Sequence, residues 1–140
     1  MKSIQNIEVE IIEEFSMFDS WIDKYDYLID LGKSLEILKD EFKTKENIIA
    51  GCQSQVWLHA ENKNDTIEYR ADSDAIMTKG IIALLIRVLS NQKPNDIIDA
   101  KLDFIKTIGL EEQLSQTRAN GLKSMIKQMK IYALAYKHNR

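Results

Sequence analysis

The run Val56-Trp57-Leu58-His59-Ala60-Glu61-Asn62-Lys63-Asn64-Asp65-Thr66-Ile67-Glu68-Tyr69-Arg70-Ala71 carries the only convincing β signal in the chain. Val56 and Leu58 alternate with Trp57 and His59, and Ile67, Tyr69 and Ala71 alternate with Thr66, Glu68 and Arg70. Two period-two runs around a polar turn, Glu61 to Asp65, predict an antiparallel hairpin. A lone hairpin is marginally stable, so helices must cover it, and segment 47–53 is a candidate third strand.

Helical patterns lie on both sides. Ile4, Ile7, Ile11, Phe15 and Phe18 form one apolar stripe. Ser20 followed by Asp23 reads as a variant capping box, with Trp21, Tyr25 and Leu28 as the buried face and Gly32 as the stop. Segment 33–50 reads as a short helix and then a loop. Beyond the hairpin, Asp72 or Ser73 is placed to cap a helix reaching Ser90. Its run Gly80-Ile81-Ile82-Ala83-Leu84-Leu85-Ile86 leaves almost no polar face, which puts it in the centre of the fold. Pro94 opens a short helix over 94–100, residues 102–114 read as one or two short helices broken at Gly109, and Leu122, Met125, Ile126, Met129, Tyr132, Ala133 and Tyr136 stripe a last helix from about residue 117 to Lys137. The predicted class is α+β, a small antiparallel sheet flanked by several helices, in a single domain over 1–140.

Composition narrows the function classes. One cysteine excludes an internal disulfide, and the longest apolar stretch is far too short to span a bilayer. The N-terminus turns acidic without the apolar core of a signal peptide, so the expected location is cytoplasmic, with no membrane partner. Residues 1–41 carry eleven acids against four bases, whereas 118–140 carry six bases and no acid. This asymmetry has two readings: solvated helix faces of opposite sign that lie near each other, or a basic docking surface for an acidic partner. Nucleic acid is not expected, because no aromatic stacking platform accompanies the basic helix.

Chemistry centres on Cys52, in Ala50-Gly51-Cys52-Gln53-Ser54-Gln55. Small and polar neighbours suit an accessible loop, although free cysteine also serves as a small buried hydrophobe. One cysteine and two distant histidines, His59 and His138, do not make a metal site. Sulfur moves between thiols by thiolate attack on a sulfur–sulfur bond. A single cysteine suits a persulfide carrier, since no second thiol can attack its own cargo. A Cys–His hydrolase and a binding module with an inert thiol are the competing classes.

Three blocks carry a family resemblance: Ile49 through Leu58 around the cysteine, Ala71-Asp72-Ser73-Asp74-Ala75 with Lys79 through Leu84, and Leu114 through Leu122 with Met125. Trp21 through Tyr25 with Leu31-Gly32 agrees as well. In order and spacing the chain resembles the SufE family of sulfur acceptors. The resemblance implies a fold shared with cluster-assembly scaffold proteins. It implies that Cys52 accepts persulfide sulfur from a SufS-type cysteine desulfurase, stimulates that enzyme, and passes sulfur to a SufB-containing scaffold complex for iron–sulfur cluster assembly. An acceptor for another desulfurase in a different thiolation pathway is the near alternative. Partner contacts would fall on Gly51, Gln53, Ser54 and Gln55, on Asp74 and on Arg118. The pyridoxal phosphate would belong to the desulfurase, and this chain would bind no cofactor of its own. Asp72, Ser73 and Asp74 as helix caps, Arg118 as an ordinary surface charge, and Trp57 as a core residue are the plainer roles.

Overall fold

The computed structural model describes residues 2–52 and 54–138. Helix α1 spans Ile4–Ser16 and α2 spans Trp21–Lys33. Strands β1 (Val56–Lys63) and β2 (Thr66–Ser73) follow, then helices α3 (Ile76–Leu89), α4 (Pro94–Asp99), α5 (Phe104–Thr107), α6 (Leu110–Gln113) and α7 (Gln116–His138). The class is α+β, as the residue pattern predicts.

The hairpin pairs Lys63 with Thr66 at one end and Val56 with Ser73 at the other. The turn is therefore Asn64-Asp65 alone, shorter than the polar run 61–65. Both residues take positive φ, 51° and 67°, matching a two-residue turn to the strand twist. Val56, Leu58, Ala60, Ile67, Tyr69 and Ala71 face the core, where Met125 and Met129 of α7 and Ile82 and Leu85 of α3 meet them. The buried Tyr69 hydroxyl donates to the Met129 carbonyl at 2.6 Å, and Tyr136 donates to the Ala60 carbonyl at 2.8 Å. These two bonds fix α7 across the hairpin. Trp57 lies on the other, half-exposed face beneath Lys43, where His59 stacks on Phe42 with ring centroids 3.9 Å apart.

Several expectations are corrected. The described residues of segment 47–53 add no third strand: they make one bridge, Ile48 to Trp57, before Gly51 turns the chain away at φ +88°. Segment 33–50 holds two single 3-10 turns, Asp40–Phe42 and Lys45–Asn47, instead of a short α-helix. Phe18 falls beyond the end of α1 and packs on Tyr27, while Ile4, Ile7, Ile11 and Phe15 are the buried stripe. Trp21 and Tyr25 are only half-buried, leaving Leu28 as the core anchor of α2. Neither Asp72 nor Ser73 caps α3, because β2 keeps its ladder as far as Ser73; the N-cap is Ala75, without a side-chain bond. Trp57 is not a core residue, since it sits on the sheet face opposite Leu58. The Ser20 cap forms as expected, its hydroxyl accepting from the Asp23 N–H at 3.2 Å.

Gly32 does not stop α2, which runs on to Lys33. It faces Gly80 of α3 instead. A Cβ on Gly80 would lie 2.3 Å from the Leu28 carbonyl oxygen, and one on Gly32 would lie 2.7 Å from the Gly80 nitrogen. The two helices thus cross backbone against backbone, which only glycine permits at these positions. Helix α1 is tied to α3 by Glu14, which accepts from Arg87 Nη1 at 2.8 Å and also from the Tyr27 hydroxyl. The Arg87 hydrogen bond holds the Glu14 carboxyl below its ordinary range despite partial burial.

Candidate functional site

The loop before β1 is shaped by its pairings at both ends. Ile49 N–H donates to the Val56 carbonyl at 2.9 Å, closing a tight excursion over 50–55. Gly51 at its apex takes the left-handed conformation, and a Cβ there would meet Ser124 Oγ at 2.9 Å. At the loop exit, Asp74 Oδ1 accepts from the Gln55 N–H at 3.1 Å while the Asp74 N–H donates to the Gln55 carbonyl at 3.3 Å. This reciprocal pair staples the loop to the start of α3.

Cys52 stands half-buried inside this frame, its thiol 3.8 Å from the Gly121 carbonyl of α7. Burial pushes the thiol pKa up. Beside it opens a cavity of about 390 Å³. Ser54, Asp74, Thr78 and Arg118 supply polar groups to its wall, and Ile81 and Met125 supply apolar ones. Ser54 and Thr78 hydroxyls lie 3.4 Å apart. Arg118 is exposed, and its N–H donates to the Ser115 hydroxyl at 3.2 Å, which caps the first turn of α7.

Of the residues singled out from sequence, Cys52, Ser54, Asp74 and Arg118 thus come to one cavity. Gly51 acts behind it as the turn, and Gln55 enters the staple through its backbone. Gln53 lies outside the described residues. Asp74 is no helix cap; its carboxylate is engaged by the loop. Asp72 takes a separate role, bridging Lys43 at 3.2 Å and Lys79 at 3.3 Å. Thr78, Gly121 and Met125 are site residues that sequence reasoning left without a role. Thr78 had a signal, a hydroxyl within an apolar helix; Met125 reads as core stripe, and Gly121 carries no side chain to notice.

His59 does not line the cavity. Its ring pairs with Glu61 at 2.9 Å and stacks on Phe42, and His138, at the end of α7, does not line the cavity either, so neither histidine stands beside Cys52 as a hydrolase base would. Among the described residues no cluster of three or more His, Cys, Asp or Glu could hold a metal ion, and no helix is long and apolar enough to cross a membrane.

A raised thiol pKa has a direct consequence. The thiolate is the reactive form, so at neutral pH Cys52 holds less of it than an ordinary cysteine. Alkylation of the free protein by iodoacetamide should be slower than that of a denatured control. Its rate should keep rising at a pH where the control has already levelled off. Equal midpoints for the two profiles would show that the loop does not shelter the thiol.

The fold and the cavity together define an α+β domain that presents one sheltered cysteine between a short loop and the start of a long helix. Residues 9–133 match the family model SufE, the Fe-S metabolism associated domain, and the chain belongs to this family. It is 41% identical over 130 residues to an uncharacterized SufE-like protein of Rhizobium meliloti (strain 1021), covering 89% of this chain and 92% of that one. It is likewise 41% identical over 128 residues to the SufE-like protein 1, chloroplastic/mitochondrial, of Arabidopsis thaliana, covering 89% of this chain and 34% of that longer protein. The solution structure of a hypothetical protein from Thermus thermophilus shares the fold, with a TM-score of 0.76 over 92% of this chain and 94% of that one, at 16% identity. Membership implies a sulfur-acceptor role in iron–sulfur metabolism.

Proposed function

We propose that this chain takes persulfide sulfur from a SufS-type cysteine desulfurase onto Cys52, stimulates that enzyme by draining its persulfide, and delivers the sulfur to a SufB-containing scaffold complex. The observation that carries the reading is the lone thiol beside a cavity walled by Ser54, Asp74, Thr78 and Arg118. In the transfer the Cys52 thiolate attacks the terminal sulfur of the desulfurase persulfide. The sulfur–sulfur bond of the donor breaks, its cysteine leaves as thiolate, and Cys52 becomes the persulfide. No external oxidant or reductant is consumed, and the proton given up by Cys52 can return to the departing thiolate. The pyridoxal phosphate stays on the desulfurase, and this chain contributes only its thiol and its docking surface.

Incubation with desulfurase and cysteine, followed by mass spectrometry, tests the reading: Cys52 should gain one sulfur, about 32 Da. An unmodified thiol after full turnover would sink it.

Charged groups at the cavity mouth make two further results expected. Stimulation of cysteine turnover should require more of this chain at high ionic strength, because salt screens the exposed Arg118 and Asp74. A half-effect concentration independent of salt would count against charged docking. Arg118→Ala should weaken stimulation with little change in thermal stability. The side chain is exposed, and at a helix start a cation gains nothing from the dipole. A large fall in melting temperature would make Arg118 a structural residue instead.

A further inference from the structure

The charge asymmetry of the chain leaves a second surface unexplained. The acidic face of α1 does not cover the basic α7: Glu10 and Glu14 pair with Arg87, and Glu10 also with Lys2. Along α7 a shallow groove runs against Ile98 of α4, lined by Ile126, Ile131 and Leu134 interleaved with Lys123, Lys127 and Lys130. Ile131 and Leu134 are each 46% exposed. The adjoining groove adds Lys101 and Lys106 against only Asp103 and Glu111, so five lysines face two acids across this side. Among the described residues Lys101, Lys106, Lys123 and Lys127 enter no ion pair. Lys130 donates to the Ala100 carbonyl and pins the end of α4 as the groove's border.

We propose that this groove docks an acidic amphipathic helix of a partner protein, and that the partner can sit there while Cys52 is engaged elsewhere. Length and chemistry both favour that occupant. From Lys123 to Leu134 the strip runs about 16 Å, three helical turns, with apolar side chains and cations interleaved on one face of α7. Acidic residues beside an apolar stripe complement that pattern. A second copy of this chain suits the groove less well: the apolar stripe of the acidic α1 is buried in its own core, and the acidic α2 exposes one large apolar residue, Ile22, and no stripe. A lipid surface suits the groove less well, since the aromatic residues typical of interfacial helices do not line it. The strip is also independent of the thiol. Gly121 faces the Cys52 cavity and Lys123 faces the groove; two residues on a helix are a rotation of about 200°, so the two sites occupy opposite sides of α7.

The test uses the full chain and a dye-labelled helical peptide of about fourteen residues, three to four turns, with leucines on one stripe and glutamates beside it. The same peptide with lysines in place of glutamates is the control. Fluorescence anisotropy should show the glutamate peptide binding and the lysine peptide not, with affinity falling about tenfold or more as salt rises toward 0.5 M. Lys127→Glu with Leu134→Glu should abolish binding. Ile131→Ser, a milder change at an exposed position, should weaken it several-fold. Both variants should take up sulfur at Cys52 as the unaltered chain does, which separates failure here from failure of the carrier reading. The proposal is overturned if the two peptides bind alike, if neither binds at millimolar concentration, or if the variants bind as before. It is also overturned if the groove proves to be covered by self-association that Leu134→Glu abolishes, or if phosphatidylserine vesicles bind it and the glutamate peptide does not.

Discussion

Cys52→Ala is expected to reduce sulfur uptake by this chain to background while leaving it folded. The substitution removes the one atom able to hold transferred sulfur, since no other cysteine exists in the sequence. What it costs the fold is small. Cys52 is half-buried, its contact with the Gly121 carbonyl at 3.8 Å is weak, and a thiol-to-methyl change opens little space. A stability change within about 1 kcal/mol is expected. The loop keeps its Gly51 turn and its Asp74 staple, so the altered chain should still occupy the desulfurase and should inhibit competitively against the unaltered one. The assay counts labelled sulfur on this chain and cysteine turnover by the partner, with circular dichroism as the folding check. Folded Cys52→Ala that still gathers sulfur and still stimulates turnover would falsify the persulfide-carrier reading.

Gly80→Ala should be the most damaging conservative change in the core. The new methyl would arrive 2.3 Å from the Leu28 carbonyl oxygen and 2.8 Å from Leu28 Cγ, and a backbone carbonyl cannot rotate aside as a side chain can. Alanine would gain about 1 kcal/mol of helix propensity over glycine, yet overpacking costs about 1–3 kcal/mol and more where backbone is struck. A net loss of about 2 kcal/mol is expected, which lowers the melting temperature by roughly 6–10 °C for a chain of this size. Gly121→Ala is the control. It is also a helical glycine, but its nearest contact, the Cys52 sulfur at 3.4 Å, is an ordinary van der Waals distance. It should leave stability unchanged or slightly raised. Equal behaviour of the two variants would show that α2 and α3 do not cross as closely as these distances require.

Much of the architecture was legible because it is written in local periodicity. The hairpin, the α1 stripe, the Ser20 cap, the Pro94 helix start and the Gly109 break all depend on residues a few positions apart. The family motifs around Cys52, Asp74 and Arg118 were legible for the same reason, as short runs of particular residues. The errors fell where a distant partner overrode a local preference. Asp72 and Ser73 look like caps, but pairing with Val56 and Trp57 holds them in the ladder. Gly32 looks like a stop, but the space it leaves is taken by Gly80, far along the chain.

The sequence by itself determined the α+β class, the lone thiol with its glycine turn, and the acidic and basic ends of the chain. Only the tertiary structure decided that Thr78, Gly121 and Met125 share a cavity with Cys52, and that Glu10 and Glu14 of α1 turn to Arg87 instead of α7. The physical reason is one of range. Turn geometry, caps and amphipathic stripes act over about one or two turns of chain. Which helix packs on which, and hence which charge is left facing solvent, is settled by burying apolar faces between segments far apart in sequence.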